Sequence, residues 1–150
     1  MKETIDQLRN ILLQYRPQLN TVPGDLWDKR PAAGKWSKKE ELGHLIDSAQ
    51  SNIRRFITGQ YEDQPYIVYA QEKWVALSNY QQYPLSDLID LWQLLNKHIC
   101  IILENCPDET ADRLVRTQDI HSIRWLAADY NKHLLHHLHH ILDLEPVNYP

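Results

Sequence analysis

Four stretches of this 150-residue chain carry apolar residues at steps of three and four, and only four glycines occur in the whole sequence. That rhythm matches the 3.6-residue turn of an α-helix and gives each stretch one apolar stripe. Scarce glycine argues against a strand-and-turn architecture and against a phosphate-cradling loop. In residues 3–19 the stripe is Ile5, Leu8, Leu12, Tyr15 and Leu19, with Pro17 near its end and a break at Thr21-Val22-Pro23-Gly24. Ser37 followed by Glu40 reads as a capping box opening a second helix, in which each partner satisfies a free backbone N–H. Its stripe runs through Leu42, Leu45, Ile46, Ala49, Ile53, Phe56 and Ile57, and Gly59 supplies the stop. Pro84-Leu85-Ser86 opens a third helix along Leu88, Leu91, Trp92, Leu95, Ile99 and Leu103, which Pro107 ends. From Ser122, the series Ile123, Leu126, Tyr130, Leu134, Leu138 and Ile141 defines a last helix to about Leu142, before an acidic tail with Pro146 and Pro150.

Four helices of roughly 18–21 residues, each about 30 Å long, predict an all-α four-helix bundle in a single domain over residues 1–150. The first two connections are long, so loops are expected to cover one end of the bundle and to enclose a pocket. Residues 60–69 read as loop, 71–80 as a short helical piece, and 108–118 as an irregular connector or one helical turn.

Charge and cysteine narrow the function classes. Sixteen Lys and Arg against twenty Asp and Glu leave a net charge of −4 with no long basic run, which argues against nucleic acid as a partner. No apolar run approaches the ~20 residues that cross a bilayer, and Met1-Lys2-Glu3-Thr4 leads into no signal-peptide segment, so a cytoplasmic protein is expected. Cys100 and Cys106 are too few for a disulfide framework and lack zinc-site spacing. Cys100 reads as a small buried hydrophobe, and Cys106, near a helix end, as open to exposure.

Five of the eight histidines fall between residues 133 and 140. His133 and His137 stand one turn apart, where two imidazoles can converge on one transition-metal ion with bonds of about 2.0–2.1 Å. Interleaved Leu134, Leu135 and Leu138 separate this run from a purification tag. His136 and His139 fall about 100° off the stripe and are expected to face solvent. A site needs a third protein ligand, and His44, His98 and His121 are the candidates. Periodicity does not choose His44, which shares with Asp47, Ser48, Ser51 and Arg55 a strip opposite the apolar stripe. That strip reads either as a solvent face or as the wall of a polar cleft. Arg54 and Arg55 read as surface charge or as a site for an anionic substrate group.

The segments Gly34-Lys35-Trp36-Ser37, Glu41-Leu42-Gly43-His44-Leu45-Ile46-Asp47-Ser48, Asn52, Arg54-Arg55-Phe56 and His133-Leu134-Leu135-His136-His137-Leu138-His139-His140-Ile141 together resemble the DinB superfamily, and within it the YfiT-like members. The resemblance spans almost the whole chain and implies a four-helix bundle holding a nickel or zinc ion on His44, His133 and His137. It implies a metal-dependent hydrolase in which a water on the ion attacks a small-molecule ester or amide. Related branches imply instead a transferase using a low-molecular-weight thiol, and the same bundle also fits a metal-binding, dimerising protein without turnover. Members are often homodimers. Such relatives usually carry a polar residue, often glutamine, where this chain has His140. Asp47, three residues past His44, is expected to accept a hydrogen bond from a ligand imidazole or from the metal's water.

Overall fold

A computed structural model describes residues 1–149; Pro150, at the close of the expected tail, lies outside them. The four expected helices are present, as α1 (Lys2–Leu19), α3 (Lys38–Thr58), α5 (Leu85–Glu104) and α7 (Ile123–Ile141). Three short helices join them: α2 (Gly24–Trp27), α4 (Gln71–Ser78) and α6 (Asp108–Ala111). Local chemistry sets the long starts. Ser37 Oγ accepts the Glu40 N–H at 3.1 Å and Glu40 Oε2 accepts the Ser37 N–H at 2.9 Å, the reciprocal cap expected from sequence. Ser122 caps α7 through the Trp125 N–H.

The long helices pack in the cyclic order α1, α5, α3, α7, so that α1 lies diagonal to α3. Side-chain bonds fix their sense. Arg9 meets Glu104 and Arg16 meets Asp90, so α1 and α5 run antiparallel. Asn131 bonds to Thr4, and His139 to Tyr15, so α7 runs with α1. Because His44 meets His133 while Glu41 meets His140, α3 opposes α7 and therefore runs parallel to α5. Parallel neighbours about 30 Å long cannot be joined by a tight turn, and this is why the chain between Thr58 and Leu85 is long. Buried apolar side chains from all four helices form one continuous core, with Trp92, Phe56, Leu88, Ile99 and Leu134 fully enclosed.

The connector after Pro107 differs from its sequence expectation. After the single turn of α6 it folds into an antiparallel hairpin, β1 (Leu114–Arg116) against β2 (Ile120–Ser122). Three-residue strands leave no periodic signature; here only Val115 is buried, between exposed Leu114 and Arg116. Residues 65–67 add to the hairpin through Ile67 N–H to Arg116 O and Arg116 N–H to Pro65 O, which ties the two long connections together. Cys106 is buried, as is Cys100, and both are free thiols. Among the described residues no helix is long and apolar enough to cross a membrane.

Candidate metal centre

The strip of α3 opposite its apolar stripe is not a solvent face. His44, Asp47, Ser48, Ser51 and Asn52 are all buried, because α7 and α4 pack over them. Gly43 makes this possible on one side: a Cβ there would meet the Tyr80 ring at 2.1 Å. Asn79, in the left-handed conformation at φ 54°, ends α4 and turns the chain so that Tyr80 lands on that glycine. Tyr80 OH then donates to Asp47 Oδ1 at 2.5 Å.

On the other side, α3 and α7 bring together His44, His133 and His137. Each offers a ring nitrogen within 4.8 Å of the others, and among the described residues this is the one group of three His, Cys, Asp or Glu so arranged. His44 Nε2 and His133 Nε2 stand 3.1 Å apart. Two nitrogens bound to one tetrahedral ion at about 2.0–2.1 Å lie about 3.3–3.4 Å apart, so the pair is spaced for a common cation. Burial, followed by the neighbouring imidazole of His137, lowers the pKa of His44 to about 4. The same causes, with His44 added, push His133 well below its ordinary value. Both rings are therefore neutral at physiological pH, the state in which imidazole ligates a metal.

Glu41 completes the arrangement. His137 Nδ1–H donates to Glu41 Oε1 at 2.7 Å, and His140 Nδ1–H donates to Glu41 Oε2 at 2.6 Å. The first bond fixes the His137 tautomer that leaves Nε2 free for an ion. Burial pushes the Glu41 carboxyl up, but the bonds to His137 and His140 outweigh it and the net shift is downward. Sequence spacing pointed to Asp47 for this position. Asp47 bonds to Tyr80 instead, its second oxygen is buried without a partner, and burial raises its pKa to about 6. Both carboxylates lie one turn from His44, and the helix that packs against each decides between them.

The remaining histidines have distinct placements. His98 is exposed on α5. His121 stacks flat on Trp125, with ring centroids 3.6 Å apart. His136 and His139, expected to face solvent, are half-buried and hold the C-terminal segment through the carbonyls of Val147 and Glu145. Trp36 packs its ring against His44 at 4.9 Å.

The three histidines open into a cavity of about 540 Å³ between α3 and α7. Ser48, Asn52 and Arg55 continue its α3 wall; Tyr69, Gln118 and His121 come from the long connections. The loops thus enclose the pocket, but along the helix pair more than over a bundle end. Arg54 is exposed away from it.

The sequence profile of the DinB superfamily matches residues 4–141. Among solved structures, YfiT from Bacillus subtilis, described as "a probable metal-dependent hydrolase with an unusual four-helix bundle topology", superposes with a TM-score of 0.85 at 21% identity, covering 95% of this chain and 83% of that one. A mycothiol-dependent maleylpyruvate isomerase superposes with a TM-score of 0.73 at 16% identity, over 97% of this chain and 61% of its own length. A DinB-like protein of Bacillus subtilis, YjoA, gives a TM-score of 0.65 at 16% identity, over 98% and 96% of the two chains. No curated protein matches the sequence.

Proposed function

The chain belongs to the DinB superfamily, and from that premise we propose that it is a metal-dependent hydrolase of a small molecule, with one divalent ion, nickel or zinc, on His44, His133 and His137. The observation that carries this reading is the meeting of three imidazole nitrogens within 4.8 Å on the wall of a cavity large enough for a substrate. Held there, the cation supplies a Lewis acid that polarises an ester or amide carbonyl and acidifies a water or a thiol. The chain's own residues prepare that chemistry. Glu41 holds the His137 ring in register through Nδ1, so that Nε2 is the nitrogen left to meet an ion. Burial keeps His44 and His133 unprotonated, and the Trp36 ring screens His44 from bulk water. Asp47 serves as a positioning group that pins Tyr80, and with it the segment between α4 and α5, onto Gly43.

Thiol transfer is the second reading, supported by the shared fold of a mycothiol-dependent isomerase; both reactions would use the same ion. A homodimer fits exposed Leu13, Leu94 and Ile101 on the outer face of α1 and α5.

The test uses protein purified without an affinity tag, stripped of metal and reloaded with zinc or nickel, then assayed on aryl esters and amides with and without a small thiol. Metal-restored hydrolysis in the wild type, absent from a His133→Ala/His137→Ala variant, supports the proposal. Turnover only with thiol moves the assignment to transferase. A metal-dependent rise in melting temperature without turnover on any substrate leaves a metal-binding bundle.

A further inference from the structure

We propose that Arg55 is the anion-binding pole of this cavity and that the substrate is a small organic carboxylate, its acid group on Arg55 and its reactive bond toward the three histidines. The reactive end of this assignment rests on the hydrolase reading; the anion pole does not. His44, Ser48, Asn52 and Arg55 follow one another at steps of four, four and three along α3 and all line the cavity. Eleven residues at a 1.5 Å rise put the His44 and Arg55 backbones about 16 Å apart, so the two poles lie at opposite ends of one wall.

Arg55 is half-buried, and among the described residues it pairs with no carboxylate, unlike Arg9, Arg16, Arg30 and Arg124; Arg54, Arg113 and Arg116 are unpaired too, but of these four only Arg55 lines the cavity. Its Nε and Nη2 donate to the Ile67 carbonyl at 3.2 and 3.1 Å, and Nη1 reaches Asn52 Oδ1 at 3.4 Å. A guanidinium has five N–H donors; three are used, and two are left for a ligand. A cation withdrawn from water without a counterion is costly, and burial lowers the Arg55 pKa. The cavity supplies part of the relief: Asp129 lines it and its charge favours the guanidinium, but it makes no ion pair with Arg55, and its Oδ2 accepts the Tyr149 hydroxyl at 2.9 Å. A ligand that brings its own anionic oxygen meets the two free donors in the planar geometry that guanidinium favours.

The charge balance selects carboxylate over phosphate. Among the described residues Arg55 is the single Lys or Arg lining the cavity, and Asp119 and Asp129 line it too; one guanidinium can take one carboxylate, whereas the second charge of a dianion would find no cationic side chain and would face the two aspartates. The stacked His121–Trp125 pair and Tyr69 offer aromatic surface to the body of the ligand.

Calorimetric titration of the metal-depleted full chain with benzoate and with benzamide, which differ in charge but little in shape, tests the assignment. The wild type binds benzoate about tenfold or more tightly than benzamide, the loss expected for one charge-assisted hydrogen-bond pair. Arg55→Gln erases that preference, Arg55→Lys keeps part of it, and Arg54→Gln keeps all of it. Equal binding of the two probes, no binding of benzoate at millimolar concentration, or a preference that survives Arg55→Gln overturns the proposal. Should Arg55→Gln fail to fold, the wild-type comparison and Arg55→Lys decide. Zinc uptake, measured after reloading portions of the same preparations, separates the two assignments. A benzoate preference without metal uptake removes the hydrolase reading and keeps the anion pole, and metal uptake without the preference does the reverse.

Discussion

Helices α3 and α5 are parallel neighbours of 21 and 20 residues, yet they are buried in opposite ways. Apart from Asn96 and the Trp92 Nε1–H, which is buried without a partner, α5 buries apolar groups alone, those of Leu88, Ile89, Trp92, Ile99, Cys100 and Leu103. Asn96 is satisfied, accepting the Tyr130 hydroxyl at 2.7 Å and donating to Trp92 O. From Lys39 to Ala49 every residue of α3 is buried, and the helix encloses Glu41, His44, Asp47, Ser48, Ser51 and Asn52 along with its apolar stripe. Its polar strip is incompletely satisfied: His44 Nδ1 and Asp47 Oδ2 are buried without partners. Such groups cost roughly 1–3 kcal/mol each. The α5 face stabilises the fold; the α3 strip draws on that stability to hold polar groups in place.

The sharpest way to break this contrast is to change one side chain on each helix. Leu88→Ala on α5 is expected to cost about 2–5 kcal/mol of unfolding free energy in denaturant titrations while leaving metal affinity unchanged. In the metal-free chain His44→Leu is expected to cost clearly less than Leu88→Ala, since removal of the unpartnered Nδ1 offsets the lost Nε2 contact with His133. A loss as large as that of Leu88→Ala would make the polar strip structural.

Glu41→Gln tests the strip's purpose more finely. It keeps the size of the side chain but no longer offers two carboxylate oxygens to His137 and His140, and zinc affinity, read by competition with a chromogenic chelator, should fall about 10–100-fold. Unchanged affinity would detach Glu41 from the site.

Acid titration of the metal-free chain separates the groups within the strip. His44 is lowered to about 4 and His133 is lowered too. From 6.5 down toward 4 the unfolded chain therefore takes up protons that the folded chain refuses, and stability falls with falling pH. Asp47, raised from 3.8 to about 6, works in the opposite sense across the same window, because the folded state is the one that binds its proton. The histidines outnumber it, so the wild type loses stability on acidification. In Asp47→Asn the loss should steepen, by at most about 1.4 kcal/mol per pH unit, as read from melting temperatures between pH 7 and 4. An unaltered slope contradicts the assignment.

The smallest effect separates the helix starts. Ser37→Ala removes a side-chain cap and should cost about 1 kcal/mol, whereas α5 begins after Pro84 with no side-chain cap to lose, so Ser86→Ala should change thermal stability by less than about 0.5 kcal/mol.

These contrasts follow how legible each part was in the sequence. Amphipathic spacing and helix-boundary residues located α1, α3, α5 and α7, because burying one apolar stripe leaves a period of 3.6 in the chain. The histidine pair on α7 was legible for the same reason, since four residues make one turn. Among the three candidates His44, His98 and His121, family resemblance alone selected His44, because its strip had no apolar period to show that α7 covers it. Glu41 went unread as a partner of His137: in sequence it is one more acidic residue in a first helical turn, and its bond spans 96 positions. The hairpin at 114–122 was too short for periodicity, and the hold of His136 and His139 on the C-terminal segment depends on where the chain turns back after Ile141.

The central claim is that α3 and α7 build one metal site from three imidazoles. Native mass spectrometry of tag-free protein reconstituted with zinc measures it most directly. One ion per chain in the wild type, lost in both His44→Ala and His133→Ala/His137→Ala, is the predicted result; equal metal content in all three proteins would contradict it.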